Sequence, residues 1–173
     1  MEINGYLIKD KEEELLQKIG RMKAYIPSIN KYFPSESESN LDKVRNKVEQ
    51  LQKMQEALVN LSYLQMIYNV TVKDEDGITL HQLIKLQRAD KSVSDILSSL
   101  ESQSKQEYFG IYKERKEDTF EYAKFSMDAK ECVERAETIS SRIRSRRGKI
   151  RRLNGTMVTA PECGVDWEEV FSM

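Results

Sequence analysis

The stretch Leu41–Ile67 reads LDKVRNKVEQLQKMQEALVNLSYLQMI, and in it Leu41, Val44, Val48, Leu51, Met54, Leu58, Leu61, Leu64 and Ile67 recur at intervals of three and four. At about 3.6 residues per turn that spacing keeps one stripe of an α-helix apolar for about eight turns. Asn40 stands where an N-cap is needed, its short side chain able to accept a first-turn N–H. A helix gains most of its stability by burying such a stripe, so this one demands an apolar partner along its length. That partner is another helix of the chain or another subunit.

Working outward, the segment from about Leu7 to Tyr25 places Leu15, Leu16, Ile19 and Met22 on one face and Lys or Glu elsewhere, an amphipathic helix over 7–25 that Pro27 is expected to end. Residues 30–40 hold Pro34 and the run Ser35-Glu36-Ser37-Glu38-Ser39, whose small polar side chains favour a loop. This first helix is too short to cover the whole stripe of the second, which covers 41–69.

Beyond the stripe, Lys73-Asp74-Glu75-Asp76-Gly77 is a turn sequence, and Thr79 with Gln82 forms a capping box that opens a third helix over about 80–106. Leu80, Leu83, Ile84, Val93, Ile96, Leu97 and Leu100 are its apolar positions. From 107 to 127, aromatic and β-branched residues (Tyr108, Phe109, Ile111, Tyr112, Phe120, Tyr122, Phe125) surround the charged turn Glu114–Asp118, the pattern of a β-hairpin. Asp128 and Glu131 make a second capping box for a helix over 129–153, with Cys132, Val133, Ala136, Ile139, Ile143, Ile150 and Leu153 as its stripe and Asn154-Gly155 as its stop. An acidic tail occupies 155–173. The expected fold is mainly α: a single domain, 1–173, built as a four-helix antiparallel bundle of long coiled-coil-like helices with an inserted β-hairpin.

Composition agrees. Of 173 residues 33% are charged and 39% hydrophobic, with only 3 Pro and 7 Gly, a profile of long exposed helices rather than of sandwiches or α/β enzymes. No apolar run approaches the ~18 residues needed to cross a bilayer, and Met1–Asp10 lacks the blocks of a signal peptide, so a cytoplasmic location is expected. In that compartment Cys132 and Cys163 are expected to be free thiols.

The order of certain features resembles the septicolysin-like family of small, mostly uncharacterised bacterial proteins. Asn69-Val70-Thr71, Asp76-Gly77-Ile78-Thr79-Leu80 leading into Leu83-Ile84 and Arg88, Phe120-Glu121-Tyr122-Ala123-Lys124-Phe125 and Ile150-Arg151-Arg152-Leu153-Asn154 carry the resemblance, over roughly residues 40–156. The chain departs from the family's closing Asn-Trp pair, because Asn154 is followed by Gly155. The resemblance implies a helical hairpin bundle with an inserted β-hairpin, assembled as a homo-oligomer, with no settled activity. The haemolysin-like name attached to that family finds no membrane-inserting segment here.

Catalytic chemistry has little to build on. His81 is the one histidine, no cysteine or acid stands at a metal-ligand interval from it, and the Glu-x-x-His repeats of di-iron helices and the glycine-rich phosphate loops are absent. Glu12, Glu13 and Glu14 read as a solvated face near a helix N-terminus. No enzyme, metal or cofactor is expected.

The net charge of −1 hides an uneven distribution. Arg142, Arg144, Arg146, Arg147, Lys149, Arg151 and Arg152 form a basic stretch without an acid, followed by Glu162, Asp166, Glu168 and Glu169. At about 100° per residue Arg144, Arg147 and Arg151 fall together on a helix, and Arg142, Arg146 and Lys149 form a looser second set. Such a triad can grip phosphate oxygens through bidentate guanidinium contacts, whereas the plain alternative is a solvated face paired with acids elsewhere in the protein. Lys85, Arg88 and Lys91 share one face of the third helix. Trp167, with Val165, Val170 and Phe171, reads as an anchor that docks on a subunit.

The leading functional expectation is a non-enzymatic homo-oligomer that captures a small anionic, nucleotide-like ligand between subunits. Its site residues would be Arg144, Arg147, Arg151, Lys85 and Arg88 with Asn69 and Thr71. Such a pocket without catalytic groups suits a phage-type sponge for an immune signal. The alternative is a protein-interaction or scaffolding module that uses the long apolar seam. Nucleic-acid binding is disfavoured by the near-neutral total and the acidic tail.

Overall fold

The computed structural model describes residues 1–30, 41–108 and 126–173. In chain order its elements are β1 (Glu2–Ile3), α1 (Gly5–Ile29), α2 (Leu41–Thr71), α3 (Leu80–Tyr108), α4 (Ala129–Asn154), β2 (Val158–Thr159) and α5 (Trp167–Ser172). The protein is mainly α. By compactness the described residues divide into Met1–Lys73 with Leu153–Met173, and Asp74–Arg152.

In the first unit α1 begins where the Asn4 side chain accepts from the Leu7 N–H at 2.9 Å, supplying one of the bonds that a first turn lacks. Ile8, Leu15 and Ile19 of α1 pack with Ala57, Leu61, Leu64 and Tyr68 of α2 to form the buried centre. Each fully buried aliphatic side chain there contributes about 1.5–3 kcal/mol relative to exposure. The tail returns to this unit: β2 pairs antiparallel with β1, Ile3 opposite Val158, and α5 lies on α2 with Trp167 and Val170 buried.

A polar node closes the unit. The Tyr68 hydroxyl donates towards the carbonyls of Leu153 and Thr156, joining α2 to the end of α4 and the turn after it. Gly5 sits against the same ring; a Cβ there would lie 2.3 Å from Asn154 Oδ1 and 3.0 Å from Tyr68 Cε1, so α1 starts with the residue that permits this approach. Burial raises the Tyr68 pKa, partly offset by the Gly5 N–H.

In the second unit the Asp74–Ile78 turn is held by its own first residue. Asp74 Oδ1 accepts from the N–H groups of Asp76 and Ile78, and Gly77 takes φ +75°, a left-handed conformation that suits glycine. The Thr79–Gln82 capping box forms in both directions, Gln82 N–H to Thr79 Oγ1 at 3.2 Å and Thr79 N–H to Gln82 Oε1 at 2.9 Å. Asp128 caps α4 through the Glu131 N–H at 2.8 Å. Leu80, Leu83 and Leu97 of α3 and Cys132 and Ile139 of α4 are buried.

Several expectations need correction. The first helix runs to Ile29 with Pro27 inside it. Proline removes one hydrogen bond, the one its N–H would give the Lys23 carbonyl, but Lys23 is exposed, so water is available to that carbonyl, and Ser28 Oγ bonds the nearby Tyr25 carbonyl at 2.7 Å. Leu16 is not in the core; it is 54% exposed, a helical step away from buried Leu15. The tail is more than an acidic tail, and Trp167 docks within its own chain, its Nε1–H donating to the Pro161 carbonyl at 2.9 Å. Of the hairpin expected over 107–127, Glu107 and Tyr108 belong to α3 and Ser126 and Met127 form a bend, while 109–125 and the Asn40 cap lie outside the described residues. Both cysteines are free, Cys132 buried and Cys163 exposed.

Candidate functional site

The basic stretch lies in the last four turns of α4, and the wheel that separates its cations into two sets also separates their surroundings. Arg146 donates to Asp90 and to the Leu86 carbonyl of α3, and Arg142 reaches the same carboxylate at 3.7 Å. Asp90 is 8% exposed, so this pairing compensates a carboxylate withdrawn from water. Lys149 meets Asp74 Oδ2 at 2.8 Å and Asp76 Oδ2 at 2.6 Å, and Arg152 reaches Glu75 at 3.3 Å. The paired Asp74 holds the Lys149 ammonium up to about 12, with Asp76 adding to it, and Lys149 in turn lowers the Asp74 pKa. The looser set therefore works inside the fold, as the plain alternative to anion capture expects.

Arg144, Arg147 and Arg151 turn outward and are exposed. Arg144 and Arg147 have no ion-pair partner among the described residues. Arg144 lines a groove of about 530 Å³ with Glu101, Val133, Ala136, Glu137 and Ser140. Two carboxylates on that wall offset its single guanidinium, so the groove is not an arginine-lined anion pocket. Lys85 and Arg88 are exposed on α3. Asn69 and Thr71 belong to the first unit, where Asn69 Oδ1 accepts from Gln65 Nε2 at 2.8 Å and Thr71 is exposed at the end of α2. Five of the seven expected residues thus belong to the second unit and two to the first. Among the described residues no group of His, Cys, Asp and Glu is placed to hold a metal ion, and no helix is long and apolar enough to cross a membrane.

The surface that the sequence reading missed is on α2. Leu41, Val48, Val59, Tyr63, Met66 and Val70 are 51%, 38%, 68%, 45%, 56% and 49% exposed. With Arg45, Gln52 and Gln55 between them they occupy an arc of about 80° at ~100° per residue, away from buried Ala57, Leu61, Leu64 and Tyr68. Leu16 borders this face from α1, one turn from Glu12, which accepts from Ser62 Oγ at 3.0 Å. The signal was present in the sequence. Six of the eight intervals in the seam are three residues and only two are four, short of the 3.6 of a helical turn, so the apparent single seam winds around the helix: it begins on the outer face at Leu41 and Val48 and crosses to the core at Leu61 and Leu64.

No family model matches the chain, and no curated protein matches it. Neither comparison bears on the septicolysin-like resemblance. Among solved structures, a functionally unknown conserved protein from Corynebacterium diphtheriae shares the fold, with a TM-score of 0.65 at 15% identity, covering 92% of this chain and all of that one.

Proposed function

We infer that this protein works by association, presenting the outer face of α2 to another helix, and that it has no catalytic role. One observation carries the reading: six large apolar side chains on one arc of a 31-residue helix, each more than a third exposed. Scattered exposed apolar residues are ordinary on a protein surface, but six aligned on one helical arc, with Arg45, Gln52 and Gln55 between them, make a face of the kind that binds a partner. An amphipathic helix is the occupant that suits it, since the apolar positions follow helical spacing and the flanking residues Glu49 and Ser62 are polar.

Capture of a small anion by Arg144, Arg147 and Arg151 stands as a second reading. It is supported by the absence of an ion-pair partner for Arg144 and Arg147 among the described residues.

Native mass spectrometry of the gently purified full chain separates the two. Association predicts masses at multiples of the chain, or the chain plus a second polypeptide, that collapse to the single chain in Val59→Glu/Met66→Glu. Anion capture predicts a retained small mass of a few hundred daltons that Arg144→Ala/Arg147→Ala removes. A single-chain mass with nothing attached at every concentration contradicts both.

A further inference from the structure

We propose that the occupant of the α2 outer face is a second copy of α2, running antiparallel, with a two-fold axis passing between Gln55 and Glu56. This rests on the association reading and names its partner.

The stripe positions are 41, 45, 48, 52, 55, 59, 63, 66 and 70. Reversing the helix about a point between residues 55 and 56 maps this set onto itself at every position except the central one. Leu41 then faces the second copy's Val70, Val48 faces its Tyr63, and each of these apolar contacts occurs twice by symmetry. Val59 meets Gln52, and at the centre the Gln55 amide, which has N–H groups to donate, meets the Glu56 carboxylate, which can only accept. Buried polar groups at the centre of a helix pair fix its register, because a shift leaves them without partners.

Charge selects the direction. In a parallel pair in register Arg45 faces Arg45; in the antiparallel pair it faces Met66, along which its aliphatic stem can lie while the guanidinium reaches water. The size is also sufficient. A 31-residue helix is about 46 Å long, and one face of it about 10–12 Å wide gives on the order of 1,000 Å² buried by the two copies together, near the lower bound for a specific interface. The expected dimer is therefore concentration-dependent rather than permanent.

Disulfide trapping tests the arrangement in the full chain carrying Cys163→Ser, since Cys132 is buried and Cys163 is the exposed native thiol. Val48→Cys and Tyr63→Cys, each alone, should remain largely unlinked under mild oxidation, and an equimolar mixture of the two should form a covalent dimer on the order of tenfold faster, because a disulfide requires Cα atoms within about 7 Å. Gln55→Cys, next to the axis, should link to itself. All three sites are exposed, and an unchanged helical circular dichroism spectrum establishes that each variant is folded. Self-linking at 48 and at 63 without linking in the mixture overturns the antiparallel pairing. Absence of all three links in a protein that still assembles through α2 overturns self-pairing and leaves the association reading with a different occupant. Absence of any assembly overturns both.

Discussion

The Lys149 ammonium lies 2.8 Å from Asp74 Oδ2, and through this contact the penultimate turn of α4 is fastened to the turn that opens α3. Asp74 is spent on both sides: one carboxylate oxygen holds its own loop, and the other holds the lysine. This pair and Arg146–Asp90 explain why a run of seven cations can stand on one helix without collapsing it, since like charges on successive turns otherwise destabilise.

Stability should depend on pH at both ends, with signs set by these pairs. Lys149, raised to about 12 by Asp74 and then Asp76, contributes stability that is complete below its ordinary 10.5 and lost as pH rises through about 12. Asp74, lowered by Lys149, contributes stability present above its ordinary 3.8 and lost as pH falls below that value. Glu14, held at about 2 by Lys11 and then Lys18, contributes above its ordinary 4.5 and loses that contribution as pH falls towards about 2. Melting temperature measured against pH should show a plateau between these limits. Lys149→Met should remove the alkaline fall due to this pair and shrink the acid one, and Glu14→Gln should shrink only the acid one.

Asp90→Asn should destabilise the protein by about 1–3 kcal/mol in denaturant titration, because it weakens a nearly buried contact with Arg146 and leaves that guanidinium short of a charged acceptor. Arg144→Ala, on the outward face of the same helix, should change stability by less than about 0.5 kcal/mol. Equal losses in the two variants would contradict the division of the basic stretch into inner and outer sets.

Tyr68→Phe should cost about 1–2 kcal/mol, since it keeps the ring in its buried place and removes the hydroxyl shared between the Thr156 carbonyl and the Leu153 carbonyl, the latter keeping its bond from the Thr156 N–H. Denaturant titration reads it directly. A neutral outcome would show that those carbonyls find other donors.

Much of this was legible in the residues, and the misses have physical causes. Helix positions followed from apolar spacing, and the caps from Thr79–Gln82 and Asp128, because both are short-range effects written in neighbouring residues. The two faces of the basic stretch were also readable from a helical wheel. Their partners were not, because Asp74 and Asp90 lie more than fifty residues from Lys149 and Arg146, and nothing local announces such a contact. The outer stripe of α2 was hidden by the winding of the apolar spacing around the helix, which makes exposed Val48 and buried Leu61 look like one seam. Pairing of β1 with β2 escaped notice because two-residue strands carry no periodic signal.

The most direct test of the central claim is sedimentation equilibrium of the full chain from about 1 to about 100 μM, a range suited to a micromolar association, beside Val59→Glu/Met66→Glu. The account predicts that the wild-type mass rises with concentration above the 20.2 kDa of one chain while the variant, equally helical, stays at it. A wild-type mass fixed at that of one chain, or a variant that associates as strongly as the wild type, would contradict the assignment of α2's outer face as the surface through which this protein works.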